Sequence, residues 1–166
     1  MTTPEDFTTD PDDMRRAFSG FPSGVAAISA RVGGEPAVMI VSSFAVGISY
    51  RPPMVSFAVQ QTSTTWPALS CAGTLGVSVL GEEHGDKTRQ LASRAKENRL
   101  AGLGTHEEDS GAIFLDGAPV WLEGAVEHVY PAGDHEIVVL RVLAMLTHED
   151  RSPVVWHRQR LRTLVG

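Results

Sequence analysis

The chain has one cysteine, Cys71, so it cannot close an internal disulfide. A lone thiol fits a reducing compartment, and a cytoplasmic location is the expectation. Cys71 reads as a small core residue of a helix that follows Pro67. No apolar run approaches the ~20 residues of a membrane span, and the N-terminus lacks a basic-then-apolar signal pattern, so no membrane partner is expected. Positive charge is also short. A net charge of −6 argues against the basic stripe that nonspecific nucleic-acid binding needs. Any nucleotide phosphate must therefore be held by local donors. The sequence has no Gly-x-Gly-x-x-Gly, no P-loop and no Gly-x-Ser-x-Gly. His128 faces His135 across a possible hairpin, and His148, Glu149 and Asp150 are adjacent, but neither set supplies the further ligands of a zinc site. No metal is expected.

What is present is ordinary globular material: 42 % hydrophobic and 20 % charged residues over 166 positions. That length suits one domain with a real core. Residues 1–12 read as a flexible acidic tail and residues 13–166 as the domain. Asp12 or Asp13 caps a short helix over residues 13–18. Residues 25–32 read as a strand, and Gly33-Gly34 as a two-residue hairpin turn into a strand at residues 37–44. Residues 54–59 are nearly all apolar, a strand expected to be buried on both faces. Residues 74–80 form another strand, residues 81–100 carry helical pattern, and residues 102–111 form a polar loop. Two long strands, residues 118–130 and 135–148, flank the turn at residues 131–134. Glu123, Glu127, Glu136 and Arg141 are expected on their outer face, and Trp121, Val126, Val138 and Leu140 inside. A last strand covers residues 154–157. About seven strands with hairpin links and few helices argue for an antiparallel barrel over a doubly wound sheet.

Three local patterns point to a ligand. Residues 60–65, Gln60-Gln61-Thr62-Ser63-Thr64-Thr65, are six consecutive hydrogen-bonding side chains ahead of Trp66-Pro67. Pro suits a first helical turn, a preceding Ser or Thr caps it, and the free N–H groups there attract phosphate. An ordinary capped helix with a polar surface explains the same residues. Ser42 and Ser43 close a strand expected to be buried, where an unpaired hydroxyl costs roughly 1–3 kcal/mol. A polar ring edge would satisfy them, and so would neighbouring backbone. Gly133-Asp134-His135 stands at a hairpin apex, where Gly and Asp serve the turn and His135 is left over.

The order of these pieces resembles the short-chain NAD(P)H:flavin reductases, the reductase components of two-component flavin monooxygenases. In that family the strand at residues 38–44 typically reads Gly-Met-Thr-Ala-Ser-Ser-Phe; here it is Val38-Met39-Ile40-Val41-Ser42-Ser43-Phe44. The next segment is usually close to Ser-Val-Ser-Leu-Asp-Pro-Pro; here Ser49, Pro52 and Pro53 are kept and Arg51 replaces the acid. Gly-Asp-His is shared. The C-terminal Tyr-His-Arg-Gly-Arg-Tyr is matched by Trp156-His157-Arg158-Gln159-Arg160-Leu161, with Gln159 in place of Gly.

The resemblance covers residues 13–164. It implies a mainly β fold, a split β-barrel with a Greek-key core, and a homodimer with flavin near the subunit interface. The family does not use a Rossmann fold, so the missing dinucleotide fingerprint does not exclude NADH. The implied activity is hydride transfer from NADH or NADPH to FMN or FAD, with reduced flavin passing to a flavin-dependent monooxygenase. The implied flavin contacts are Ile40, Val41, Ser42, Ser43, Ser49, Ser56, Gln60, Gln61, Thr62, Ser63, Thr65, Trp66 and Arg89, with His157 and Arg158 toward a nucleotide phosphate. His135 falls beside the nicotinamide, where its ring would donate a hydrogen bond or assist proton delivery. A flavin carrier or sensor without reductase activity fits the departures at Val38, Ile40 and Gln159, and a related barrel that binds haem or a deazaflavin is a third reading.

Overall fold

Short turns and alternating apolar residues set the architecture. The computed structural model describes residues 7–165. Its strands are β1 (Ser23–Gly24), β2 (Ala26–Val32), β3 (Glu35–Val41), β4 (Ala45–Tyr50), β5 (Pro53–Gln60), β6 (Leu75–Val79), β7 (Thr105–Glu107), β8 (Ile113–Leu115), β9 (Val120–Ala132), β10 (His135–Thr147), β11 (Val154–His157) and β12 (Arg160–Thr163). The helices are α1 (Pro11–Ser19), α2 (Trp66–Leu69) and α3 (Thr88–Leu91). None among the described residues is long and apolar enough to cross a membrane.

Seven strands make one antiparallel sheet in the order β3-β2-β6-β9-β10-β5-β4. The sheet curls until β3 and β5 touch, which closes the barrel that the strand order implied. Gly33 and Gly34 both have positive φ (59° and 86°), so the expected hairpin turn forms where only glycine is unstrained. The core inside the barrel joins Ile28, Val41, Phe57, Leu75, Val77, Leu122 and Leu140, with Trp66 edge-on to Phe57 at 5.5 Å. Each such side chain contributes about 1.5–3 kcal/mol by leaving water. A second cluster, with Val25, Ala27, Val38, Leu80, Leu91, Leu115 and Val154, lies on the other face. It is covered by α3, β8 and β11.

Several expectations are corrected. Asp10, not Asp12 or Asp13, caps α1: its Oδ1 accepts from the amides of Asp12 and Asp13. The helix therefore begins inside the expected tail, whose first six residues lie outside the described ones. β5 alternates, with Val55, Phe57 and Val59 buried and Met54, Ser56 and Ala58 half-buried. Strands buried on both faces are found elsewhere, in β2, β6 and β8. The helical pattern at residues 81–100 breaks into α3 and two 3-10 turns, Glu82–His84 and Lys96–Asn98. The polar loop at residues 102–111 contains β7. Cys71 is exposed, because α2 ends at Leu69 before its face can turn inward. Trp121 is two-period out of phase with Val126, so it turns away from the barrel core. It stacks on Phe114 (5.2 Å) and His106 (5.6 Å), and its Nε1–H donates to Leu115 O at 2.8 Å.

Candidate active site

β3 with its exit and β5 with the loop that follows face each other, and residues from 91–99 close one edge. The result is a cavity of about 650 Å³. One wall comes from β3 and its exit: Met39, Ile40, Val41, Ser42 and Ser43. The facing wall is Ala58, Val59 and Gln60 of β5, continued by Thr62, Ser63, Thr64 and Thr65. Leu91, Ala92, Arg94 and Arg99 close one end, and His135 lies on the lining at the start of β10. Among the described residues, no carboxylate lines it. A chain of net charge −6 thus keeps a cavity whose formal charges are two arginines. Electrostatically it suits an anionic ligand.

The hydroxyl run is shaped from within. Ser63 Oγ accepts from the Trp66 amide at 3.1 Å and caps α2, while Thr65, the N-cap position, makes no side-chain cap. Pro67 sits in the first turn as expected, but α2 is a single turn, so hydroxyls and cations outweigh any helix dipole here. Arg99 ties three walls together. Its Nη1 donates to Val38 O at 2.7 Å and Thr65 Oγ1 at 3.0 Å, and its Nε donates to Ser93 O at 2.7 Å. Burial pushes the Arg99 guanidinium below its ordinary pKa. Lys96 Nζ donates to Thr64 O at 2.6 Å.

Ser42 and Ser43 lie just beyond β3 and are exposed, which corrects the buried strand end. Ser43 Oγ donates to Ala58 O (3.1 Å) and accepts from Ala58 N (2.8 Å), extending the β3–β5 contact by a side chain. Its partner is backbone. Ser42 has no intramolecular partner among the described residues, so its hydroxyl is available to a ligand.

His135 Nδ1 lies 2.7 Å from Asp134 Oδ1. A carboxylate only accepts, so Nδ1 carries the proton and donates. The hydrogen bond from His135, then its charge, and more weakly Arg15, hold the Asp134 carboxyl below its ordinary pKa. Gln61 braces the same apex: its amide donates to Asp134 O at 3.0 Å and its Nε2 to Gly133 O at 3.1 Å.

The structure brings together Ile40, Val41, Ser42, Ser43, Gln60, Thr62, Ser63, Thr65 and His135. The other expected residues do not line the cavity. Ser49 Oγ donates to Pro52 O at 2.6 Å and holds a turn. Ser56 sits within β5, paired with Ala45 and Val139. Trp66 is in the core. Arg89 is exposed on α3, beside the lining residues Leu91 and Ala92. His157 ends β11, and Arg158 and Gln159 form its turn with φ of 50° and 61°. There the family's glycine would be relaxed and Gln159 is strained. Sequence reading missed Arg94 and Arg99. Their only signal was two cations in a polar stretch, and the breaks that aim them inward left no periodicity.

The comparisons agree with this geometry. The chain matches the flavin reductase like domain family over residues 15–165. It is 31 % identical over 150 residues to a flavin reductase of Pseudomonas putida, covering 90 % of this chain and 87 % of that one. It is 33 % identical over 152 residues to the reductase component of 4-hydroxyphenylacetate 3-monooxygenase of Thermus thermophilus, covering 92 % and 95 %. Among solved structures, the NADH:FAD oxidoreductase SgcE6 of Streptomyces globisporus C-1027, in complex with NAD and FAD fragments, superposes with a TM-score of 0.86. It is 27 % identical, with 99 % of this chain and 96 % of that chain covered. A matched family over nearly the whole length, on a barrel whose cavity suits an anionic ligand, places this chain in the flavin reductase like domain family.

Proposed function

We propose that this chain is an NAD(P)H-dependent flavin reductase that passes reduced FMN or FAD to a separate flavin-dependent monooxygenase. One observation carries the reading: a single cavity, with no carboxylate among its described lining residues, combines an apolar wall, a row of hydroxyls, two arginines and a histidine. Those groups fit a flavin nucleotide part by part. Met39, Val41 and Ala58 would meet the ring face, and Ser42 its polar edge. Gln60, Thr62, Ser63 and Thr65 would hold the ribityl chain, and Arg94 and Arg99 the phosphate. Ser49, Ser56, Gln61, Trp66 and Arg89 would support these contacts from behind, and His157 and Arg158 would act only on a long dinucleotide ligand.

Hydride transfer from nicotinamide C4 to flavin N5 is the chemistry that the two cofactors supply when bound. The chain's own work is to hold the rings about 3–3.5 Å apart and to limit water. His135 would place the nicotinamide carboxamide through the ring nitrogen that Asp134 leaves unused. Residues 13–166 would act as the catalytic domain, in the cytoplasm, where a single exposed thiol stays reduced. Val46, Ile48 and Tyr50 of β4, and Leu143, Met145 and Leu146 of β10, are exposed and apolar, which supports a homodimer.

Anaerobic oxidation of NADH and NADPH by the purified protein, with FMN, FAD or no flavin, tests the reading. Oxidation that depends on flavin, with flavin bleaching, is the expected result and ranks the cofactors. Flavin binding without nicotinamide oxidation would leave a carrier or sensor in its place.

A further inference from the structure

The hairpin apex between β9 and β10 is held by two residues that do not line the cavity. Asp134 is adjacent to His135 in sequence and bonded to it in space, through Nδ1 at 2.7 Å. Its side chain is 93 % exposed, so water competes for it and a stability role alone gives little. Its chemical effect on the ring is larger than its energy. Free neutral imidazole exchanges its proton between two nitrogens, and a carboxylate on Nδ1 fixes the proton there. Nε2 then becomes the acceptor, and the only ring nitrogen left for a molecule in the cavity.

Gln61 fixes the apex from the other side. Its amide and its side-chain Nε2 donate to Asp134 O and Gly133 O, the two carbonyls of the turn. Gly133 has φ of 63°, so the turn needs a left-handed residue at that point. Gln61 is also covalently next to Thr62, the first residue of the hydroxyl loop that lines the cavity. The hydroxyl loop and the histidine are therefore joined through one glutamine. His135 pairs with Gln60 across the β5–β10 ladder, so the same short segment also sets the depth of the ring.

We propose that Asp134 and Gln61 are positioning residues for His135: Asp134 sets the Nδ1–H tautomer, and Gln61 locks the turn that carries it. The inference rests on the flavin reductase reading for its kinetic consequence, but not for the tautomer.

The tautomer is read by nitrogen NMR of the protein labelled with 15N-histidine, in the neutral form of the ring and without cofactors. The wild type should give the Nδ1–H pattern at His135. Asp134→Ala should give the Nε2–H pattern of free histidine, and Asp134→Asn, which keeps an acceptor oxygen, should restore Nδ1–H. An Nε2–H ring in the wild type, or no change in Asp134→Ala, overturns the proposal. In steady-state assays, Asp134→Ala should raise the KM for NADH about fivefold, the size of one exposed charged contact, with the Kd for flavin changed less than about twofold. Gln61→Ala should raise that KM while leaving the Nδ1–H signal in place. A wild-type KM in both variants overturns their positioning role. His135→Ala separates the two levels: if it leaves the KM for NADH unchanged, the nicotinamide-side reading of His135 fails, while the tautomer result still judges Asp134.

Discussion

Arg99 shows how one side chain can be structural and functional at once. It spans Val38 of β3, Thr65 of the hydroxyl loop and Ser93 beyond α3, and the only cause acting on its pKa is burial. A cation placed so, beside a cavity that no carboxylate among the described residues lines, keeps its charge for a ligand. Arg99→Ala should weaken flavin binding by about tenfold and cost about 1–3 kcal/mol of stability, since Val38 O and Thr65 Oγ1 lose a charged donor. Fluorescence titration of flavin and a urea melt measure the two effects. An unchanged flavin affinity in a folded variant would take the phosphate away from this arginine. Gln159 tells a different story. Its φ of 61° is the strained left-handed conformation, and Gln159 is not among the residues that line the cavity. Gln159→Gly should raise stability by about 0.5–1 kcal/mol, seen as a Tm higher by about 2–4 °C. A lower Tm would mean that the Gln159 side chain has a contact worth more than the strain.

Among the elements, β8 shows what glycine and serine do inside a sheet. A side chain at Gly76 of β6 would place its Cβ 2.0 Å from Ile113 O, so β8 lies where only glycine lets it. Two buried serines tether it: Ser29 Oγ donates to Ile113 O at 2.7 Å, and Ser78 Oγ accepts from Leu115 N at 2.9 Å. Gly76→Ala should push β8 off the sheet and destabilise by about 2–4 kcal/mol, lowering Tm by about 4–16 °C. A Tm within a degree of wild type would show that β8 yields freely. The same contrast explains what the residues made legible. The Gly33-Gly34 and Gly133-Asp134 turns, and the two long strands between which the second lies, were readable because turn chemistry and period-two patterning are local. The hydroxyl run was legible as a row of donors and acceptors ahead of a helix start, and His135 as the residue that Gly133 and Asp134 leave over at their turn. Arg94, Arg99, the paired role of Gln61 and the exposure of Cys71 were not, because each depends on where a distant segment stops. A helix that stops at Leu91 brings Arg94 and Arg99 to the cavity lining, and α2 ending at Leu69 leaves Cys71 outside.

At the scale of the molecule, the exposed apolar residues follow from how far each strand is paired. β5 pairs with β10 only from His135 to Arg141, so among the described residues the rest of β10 has β9 on one side and no strand on the other. Leu143, Met145 and Leu146 stand there at 55 %, 65 % and 50 % exposure. β4 is the terminal strand of the sheet, with Val46 at 68 % and Tyr50 at 81 %. An unpaired edge with large apolar side chains invites another chain, and a lone protein of this charge would keep such residues few. A second copy is the simplest cover, because a two-fold contact brings the same patch twice. The double variant Tyr50→Glu, Met145→Glu should then sediment as a monomer while the wild type sediments as a dimer, because paired carboxylates would be desolvated at the contact. Flavin affinity measured on the same samples adds the functional arm: a loss with the dimer means the partner copy finishes the cavity, and an unchanged Kd means one chain holds the flavin alone. A wild-type chain that sediments as a monomer at micromolar concentration would leave the patch to a different partner and end the homodimer proposal.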